Sequence, residues 1–256
     1  MTEHGTNPRD HAQHPSHVPG ADATDSAGET WTGRTLSGTG FDHDDGGADA
    51  DLAAALASGD DQAVMSAVVT ARFLVPIVAE PVEVDRSGDL ATDARVDMAA
   101  VTLVAPDGTR ALPAFTSTAA LAAWDPEARP SPVTAERMAQ AAVSEQCDVI
   151  VLDVSGPQTR TLRPSMVWAL ATRRAWSPPA RDPFVDRSVA AATDPEAAVT
   201  AYALEDGPDG TLVIELALEP GLEPPLVQAL ATRVGERLAT DGELRARIDG
   251  LAFRLR

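Results

Sequence analysis

Twice in this chain the tripeptide Pro-Asp-Gly lies between two runs of apolar residues, at residues 106–108 and 208–210. Proline fixes one backbone angle, aspartate accepts a hydrogen bond from a later N–H, and glycine takes a left-handed conformation at no cost. Both sites therefore predict a β-hairpin, over "VDMAAVTLVAPDGTRALPAF" and "AVTAYALEDGPDGTLVIELALEPG". The flanking strands differ in sequence, so the shared turn does not indicate a duplication.

Helical and extended patterns surround the two hairpins. Apolar residues recur at helical spacing in "DLAAALASGDDQAVMSAVVTA", which Gly59 interrupts, and again in "AALAAW", "TAERMAQAAVSEQ", "RPSMVWALATRRAW" and "EPPLVQALATRVGERLATDGELRARI". In the last of these, one helical face carries Leu226, Leu230, Val234 and Leu238. "RFLVPIVAE", "DVIVLDV" and "GLAFRLR" predict strands, the first at a sheet edge or with a bulge because it contains Pro76.

These elements predict an α+β fold in two parts. An N-terminal domain over residues 51–176 has a mixed or antiparallel sheet packed with helices. Residues 177–197 are polar and rich in proline, which predicts a linker. Residues 198–256 form a smaller ββαβ C-terminal domain that ends on a strand.

The first 50 residues are dominated by Gly, Asp, Thr, Ser, His and Pro, and we expect a disordered, acidic, histidine-containing tail. Its spacing of His11, His14 and His17 is open to two interpretations, a weak metal site or a chance cluster in a solvated tail, and we favour the tail. "DHDDGGADA" resembles a calcium loop only superficially, since Gly46 lies at its fifth position and Ala53 at its twelfth. We therefore expect no metal site.

Charge and composition narrow the class of partner. Acidic residues number 39 and basic residues 20, which gives a formal net charge of −19. Such a chain repels nucleic acid and anionic membranes. The sequence has no apolar run of membrane-spanning length and no apolar core of a secretion signal, and Cys147 is its single cysteine, so we expect a cytoplasmic protein.

Two side-chain types are missing from the predicted folded part. The 20 basic residues are all arginine, and the five histidines lie within the first 43 residues. Schiff-base chemistry, lysine-containing phosphate loops, Ser-His-Asp and Cys-His catalysis, and the common zinc patterns are therefore excluded there. We expect no catalytic residues and no cofactor.

The remaining chemically suggestive residues each have a structural interpretation. Thr116, Ser117 or Thr118 is placed to cap the helix "AALAAW", and Trp124 to close a core. Cys147 is expected to be a buried, inert thiol. Asp153 ends a strand and is interpreted as an ordinary turn carboxylate, although loops at such positions do collect ligands.

Arginine and tryptophan concentrate in one stretch of the sequence. Arg173 and Arg174 are placed to complement a helix C-terminus. The stretch contains six such residues: Arg160, Arg163, Trp168, Arg173, Arg174 and Trp176. Because Arg and Trp are enriched at interfaces, an interaction patch is the alternative interpretation.

The order of several motifs resembles the SseB (enhanced serine sensitivity) family as it occurs in actinobacteria, over residues 50–172. The resemblance rests on "ARFLVPIVAE", "AAVTLVAPDGTRALPAFTSTAALAAWDPEARPSPV" and "QCDVIVLDVSGP". It implies a small α/β domain, a link by name to serine tolerance, and no established catalytic residues. Residues from about 195 onward resemble the second domain of such proteins. The motif residues, which we interpret as structural, include Leu74, Val75, Pro76, Pro113, Phe115, Thr116, Ser117, Trp124, Leu152 and Asp153.

Two functional hypotheses result. The preferred one is a non-catalytic cytoplasmic adaptor or regulatory protein that binds another protein, whose identity the sequence does not give, with no nucleic-acid or membrane partner. The alternative is a sensor of a small molecule, such as an amino acid or a sulfur metabolite, or a carboxylate-based enzyme that uses the loop after Asp153. The sequence leaves the oligomeric state open.

Overall fold

The structure, a computed structural model, describes Phe41 and residues 44–80, 97–154 and 156–256, with the backbone alone described for residues 78–80 and 97–99. The chain divides into two compact units, Met1–His43 and Asp44–Arg256. The histidines and most of the predicted tail lie outside the described residues. The described helices and strands all belong to the second unit.

The described residues form eight α-helices and ten strands. The helices are α1 (Ala50–Ser58), α2 (Asp61–Val68), α3 (Thr118–Trp124), α4 (Ala135–Ser144), α5 (Pro164–Ala171), α6 (Pro183–Thr193), α7 (Pro224–Thr240) and α8 (Gly242–Arg245). The strands are β1 (Arg72–Glu80), β2 (Asp97–Ala100), β3 (Leu103–Val104), β4 (Arg110–Ala114), β5 (Arg129–Thr134), β6 (Val149–Leu152), β7 (Arg160–Leu162), β8 (Val199–Asp206), β9 (Thr211–Leu218) and β10 (Gly250–Leu255). The fold is α+β, as predicted.

The fold begins before the predicted boundary at residue 51. The guanidinium of Arg72 forms an ion pair with Asp44 and donates to the carbonyl of Gly47 at 2.9 Å. The N–H of Thr118 donates to the carbonyl of Gly46 at 2.9 Å. Residues 44–49 therefore lie against β1 and the start of α3 and belong to the folded unit.

Two sheets form the N-terminal part of this unit. One has the order β2-β1-β5 and is antiparallel, and the other has the order β3-β4-β6-β7 with β4 and β6 parallel. An isolated antiparallel bridge between Leu74 and Phe115 links them. β1 is thus a central strand whose ladders show no register shift, so neither predicted alternative, a sheet edge or a bulge, is correct. Pro76 faces Pro130 across the β1–β5 pair, which fits a ladder position where facing residues exchange no hydrogen bond.

The two Pro-Asp-Gly turns have different surroundings. The second joins β8 to β9 in a long antiparallel hairpin, as predicted, and β10 then pairs with β9 in parallel after α7. The first joins the two-residue strand β3 to β4. Its predicted incoming strand is interrupted, because the preceding β2 pairs with β1 of the other sheet instead.

Side chains that the sequence offers as caps begin several helices. Asp60 accepts hydrogen bonds from the N–H groups of Gln62 and Ala63 at the start of α2, and Gly59 ends α1 with a φ of 71°. The break between the two helices therefore has the predicted chemistry. Asp49, Ser117, Thr134 and Asp182 likewise accept from the first turns of α1, α3, α4 and α6.

The predicted linker contains a helix. Within residues 177–197, α6 buries Val185 and Val189 against β9 and α7, and the spacing of four residues places both on one face. The polar residues 186–188 between these positions, and the prolines that precede them, hide this short apolar stripe in the sequence. In α7, the predicted apolar face holds for Leu230, Val234 and Leu238, but Leu226 in the first turn is exposed.

In the part of the chain that the structure describes, no helix combines the length and the apolar character that crossing a membrane requires.

Candidate functional site

The carboxyl ends of the parallel strands β4 and β6 bring Thr116 and Asp153 together. The N–H of Thr116 donates to Oδ1 of Asp153 at 2.8 Å, and its hydroxyl donates to Oδ2 at 2.8 Å. Thr116 is buried. Because both carboxylate oxygens bond to one residue of the neighbouring turn, Asp153 ties the β4–α3 turn to the turn after β6.

The backbone at Asp153 is turned sharply. Its φ is 48°, in the left-handed region that aspartate tolerates better than most residues. Its carbonyl accepts hydrogen bonds from the N–H of Gly156 at 2.9 Å and from the hydroxyl of Thr159 at 2.8 Å. This turn is therefore held both by the side chain and by the backbone of Asp153.

A small cavity of about 190 Å³ opens beside this turn. Apolar groups form most of its wall, together with one edge of Asp153. The lining residues are Ala120, Ala123, Asp153, Val154, Gly156, Pro157 and Gln158. A cavity of this size admits a small, largely apolar group.

The family-motif residues gather around the same turn. Phe115 is fully buried, and its ring lies 5.3 Å from the ring of Trp124 between centroids. The two rings form a small core with Leu74 and Leu121. Ser117 is the N-cap of α3 and accepts from the N–H of Ala120 at 3.0 Å. Pro76 and Pro113 are buried in β1 and β4.

The predicted arginine and tryptophan patch is divided between the interior and the surface. Arg163 Nη2 lies 2.7 Å from Oδ2 of Asp61, and Arg160 contacts the other oxygen of the same carboxylate. Arg163 also lies over the ring of Trp176, 6.0 Å from its centroid. These residues are therefore occupied by contacts within the chain.

Asp249, which immediately precedes β10, completes this interior cluster. Its carboxylate accepts from Arg163 Nε at 3.0 Å, from the N–H of Ser165 at 2.7 Å and from the hydroxyl of Ser165 at 2.8 Å. The indole N–H of Trp176 donates to the same hydroxyl at 3.1 Å. We call these six residues the Arg163 network: Asp61, Arg160, Arg163, Ser165, Trp176 and Asp249.

The other members of the predicted patch lie outward. The side chain of Arg173 is 76% exposed and pairs with Glu136 at 2.7 Å. Trp168 is 41% exposed. Arg174 pairs with Glu243. α5 ends at Ala171, so Arg173 and Arg174 follow directly after the helix C-terminus near which they were predicted to lie, and Arg173 has a φ of 55°.

Electrostatics reinforce the Arg163 network. Burial disfavours the charged form of Asp61, but the hydrogen bonds and charges of Arg163 and Arg160 outweigh it and hold its pKa below the ordinary value. Burial likewise opposes the charge of Arg163, yet Asp61 and Asp249 raise its pKa further. Away from the network, burial raises the pKa of the Cys147 thiol, which disfavours the reactive thiolate.

Sequence reasoning missed Asp61, Ser165 and Asp249 as partners of the arginines. Asp61 and Asp249 lie 102 and 86 positions from Arg163 along the chain. Each has an ordinary local role in the sequence, as an acid in a first helical turn or before a strand. A single sequence gives no indication that residues so far apart along the chain are in contact.

No group of three or more His, Cys, Asp or Glu side chains in the described residues is arranged to hold a metal ion.

Residues 49–169 match the family model of the SseB protein N-terminal domain. The chain is an SseB-family protein through this domain. The match runs from the residue that caps α1 into α5, and so includes Asp153, Thr116 and the aromatic pair beside them. The later residues of this SseB-family chain, including Asp249 and all of the sheet β10-β9-β8, lie outside the match. No curated protein and no solved structure matched the chain.

Proposed function

We propose that this SseB-family chain is a non-catalytic adaptor or regulatory protein that binds another protein in the cytoplasm. The observation that supports this proposal most is the hydrogen bonding of the Asp153 carboxylate. Carboxyl ends of parallel strands are where open sheets place reactive groups, but here both carboxylate oxygens accept hydrogen bonds from Thr116 and hold two turns together. The sequence also places no histidine beyond residue 43 and contains no lysine to serve as a base.

The outward members of the predicted patch are our proposed contact surface for a partner. Trp168 is a large aromatic side chain that remains 41% exposed on α5, and Arg173 beside the end of that helix is 76% exposed. Tryptophan and arginine dominate the energetics of many interfaces. The experiment is affinity capture of the tagged chain from its own cytoplasm, followed by mass spectrometry.

Three versions of the chain make the capture informative. The wild type is expected to retain a stoichiometric protein, and Trp168→Ala is expected to lose it. Leu226→Ala, which removes an exposed apolar side chain of α7, is the matched control and is expected to retain it. If Trp168→Ala and the wild type retain the same proteins, this surface is not the binding site, and if no protein is retained the adaptor proposal fails.

The cavity beside Asp153 favours a second candidate, a sensor of a small metabolite. Its volume of about 190 Å³ and its apolar wall suit a small side chain or thioether better than a charged ligand. Differential scanning fluorimetry against amino acids and sulfur metabolites tests this candidate. Ala123→Leu should fill the cavity and abolish any ligand-dependent rise in melting temperature, while Ala201→Leu on the exposed part of β8 should preserve it.

An enzyme remains the alternative that would overturn both proposals. Purified chain is incubated with a metabolite extract, and substrate loss is followed by mass spectrometry. Turnover by the wild type that Asp153→Asn abolishes would establish carboxylate chemistry at this turn. We expect neither protein to convert any metabolite.

A further inference from the structure

The described chain contains two large apolar cores that share no buried residue. The first extends from Leu52 to Trp176 and the second from Val185 to Leu244. The helices and strands that pack most extensively on each other lie on the same side of residues 177 and 178, and the 3₁₀ turn Pro179–Arg181 packs on α6, β8 and β9. We call residues 44–176 the N-terminal part and residues 179–256 the C-terminal part. Apolar burial stabilises each part internally far more than it joins them.

Polar contacts of Asp249 cross between the parts. Its side chain is only 5% exposed although it is charged. It receives three hydrogen bonds from the N-terminal part, one from Arg163 and two from Ser165. The first residue before α5 is Arg163, which provides no side-chain cap of its own. Asp249 therefore caps a helix of the other part, where a carboxylate is favoured by the free N–H groups.

The N-terminal part holds the receiving groups in place independently of Asp249. Asp61 binds Nη2 of the Arg163 guanidinium at 2.7 Å, and the ring of Trp176 lies beneath it. The indole of Trp176 also fixes the hydroxyl of Ser165. Separation of the parts would consequently leave an ordered receiving site in which the N–H and the hydroxyl of Ser165 lack their acceptor.

The C-terminal part holds Asp249 in an equally defined position. The N–H of Asp249 donates to the carbonyl of Gly210, in the turn between β8 and β9, at 3.2 Å. Gly210 has a φ of 74°, and a Cβ atom there would lie 2.6 Å from Arg163 Nε. This turn thus packs directly against the guanidinium, which requires glycine both for its conformation and for its size.

We propose that Asp249, Arg163 and Ser165 form an ionic latch whose release lets the two parts separate while each keeps its own core, connected by residues 177–178. Domains joined by a polar interface move relative to each other by default. A buried charge that loses its partner destabilises the interface strongly, so the closed form depends on the charge of Asp249. Arg174 and Glu243 add a second ion pair across the border, but Glu243 is 43% exposed, so this pair contributes less. The latch does not depend on the proposed partner.

Hydrogen exchange measured by NMR on the full chain tests the latch. The amide of Ser165 is the reporter, because its hydrogen bond goes to Asp249 alone. Asp249→Asn removes the charge and preserves the shape. The matched control is Glu205→Gln, which removes an ion pair with Arg254 inside the C-terminal part. The amide of Ile214, in β9, reports on the C-terminal core.

We expect faster exchange at the border between the two parts and unchanged exchange in the C-terminal core. In Asp249→Asn the Ser165 amide exchanges about tenfold faster or more, as the loss of a hydrogen bond to a charged group implies, while Ile214 keeps its protection. Glu205→Gln leaves both amides unchanged. At a salt concentration of about 1 M, charges are screened within about 3 Å. Exchange of the Ser165 amide should therefore become faster in the wild type as well.

Two outcomes would overturn the latch. One is a Ser165 exchange rate that does not change in Asp249→Asn. The other is equal acceleration at Ser165 and Ile214, which would mean that the parts unfold together. If Asp249→Asn does not fold, Arg163→Gln, which removes the opposite charge, is judged by the same two amides and the same two criteria.

Discussion

The contact between Glu196 and α7 provides the strongest quantitative prediction. Glu196 follows α6, and its carboxylate accepts hydrogen bonds from Arg233 Nε at 3.0 Å and Arg233 Nη2 at 2.6 Å. Arg237 Nη2 lies 2.8 Å from the same carboxylate. The side chain of Glu196 is only 7% exposed. Replacing Glu196 by Gln keeps the shape and removes the charge that two guanidiniums require.

The lowered pKa of Glu196 sets the size of the expected loss in the free energy of unfolding. The hydrogen bond from Arg233 is the main cause that lowers it from 4.5 to about 2. At about 1.4 kcal/mol per pKa unit, this difference corresponds to at most about 3.5 kcal/mol in favour of the folded state. The side chains of Arg233 and Arg237 are 49% and 37% exposed, so solvent screens the pairs. We therefore expect Glu196→Gln to lower the free energy of unfolding by about 1–2 kcal/mol at pH 7.

The pH dependence is set by the sign of the pKa change. Between pH 4.5 and about 2 the unfolded chain binds a proton at Glu196 that the folded chain does not. The stabilisation is therefore fully present above pH 4.5 and disappears as the pH falls toward 2. The difference between wild type and Glu196→Gln should shrink over the same interval.

Urea denaturation followed by circular dichroism at several pH values measures both effects. Glu219→Gln, which changes an exposed acid near the end of β9, is the control and should alter stability by less than about 0.5 kcal/mol. Equal losses in the two variants at pH 7, or a loss in Glu196→Gln that persists undiminished at pH 2, would refute the role of the two arginines.

Three further predictions concern the N-terminal part. Phe115→Ala should lower the free energy of unfolding by about 3–5 kcal/mol in urea titrations, because the ring is fully buried against Trp124. Asp153→Ala should cost about 2 kcal/mol, since Thr116 loses the acceptor for both its donors, and Asp153→Asn should cost clearly less; equal losses would contradict this assignment. Cys147 should react with a disulfide reagent at least about tenfold more slowly in the native chain than in urea, because it is buried and its pKa is raised.

Local chemistry accounts for the parts of the fold that could be predicted from the sequence. The turn at residues 208–210 and the break at Gly59 were predictable because each depends on a few adjacent residues with fixed preferences. Helix α6 was not, since its apolar stripe is short and interrupted by charged residues. The central position of β1 is not predictable from the sequence, because Pro76 lies at a ladder position where facing residues of β1 and β5 exchange no hydrogen bond, and only the register reveals this.

In the candidate sites too, local contacts are predictable from the sequence and contacts between distant residues are not. The sequence predicts a hydroxyl cap at Thr116, Ser117 or Thr118 before an apolar helix, and the structure shows that Ser117 is the cap. Asp249 and Arg163 meet because the C-terminal part returns its last strand to the start of α5, which no local pattern encodes. The structure leaves Trp168 exposed and buries Trp176, although the sequence gives no reason to distinguish these two residues eight positions apart.

The exclusive use of arginine has a structural counterpart. Arg163 binds acids from α2 and from the segment before β10, and Arg247 binds Asp182 and Glu243, each at 2.7 Å, while it lies 4.5 Å from the ring centre of Phe184. A guanidinium contacts two carboxylates and an aromatic face at once, whereas an ammonium group provides a single point of charge. Arginine also stays protonated at every physiological pH. In these positions it joins segments that are far apart along the chain, which a single lysine charge would hold less specifically.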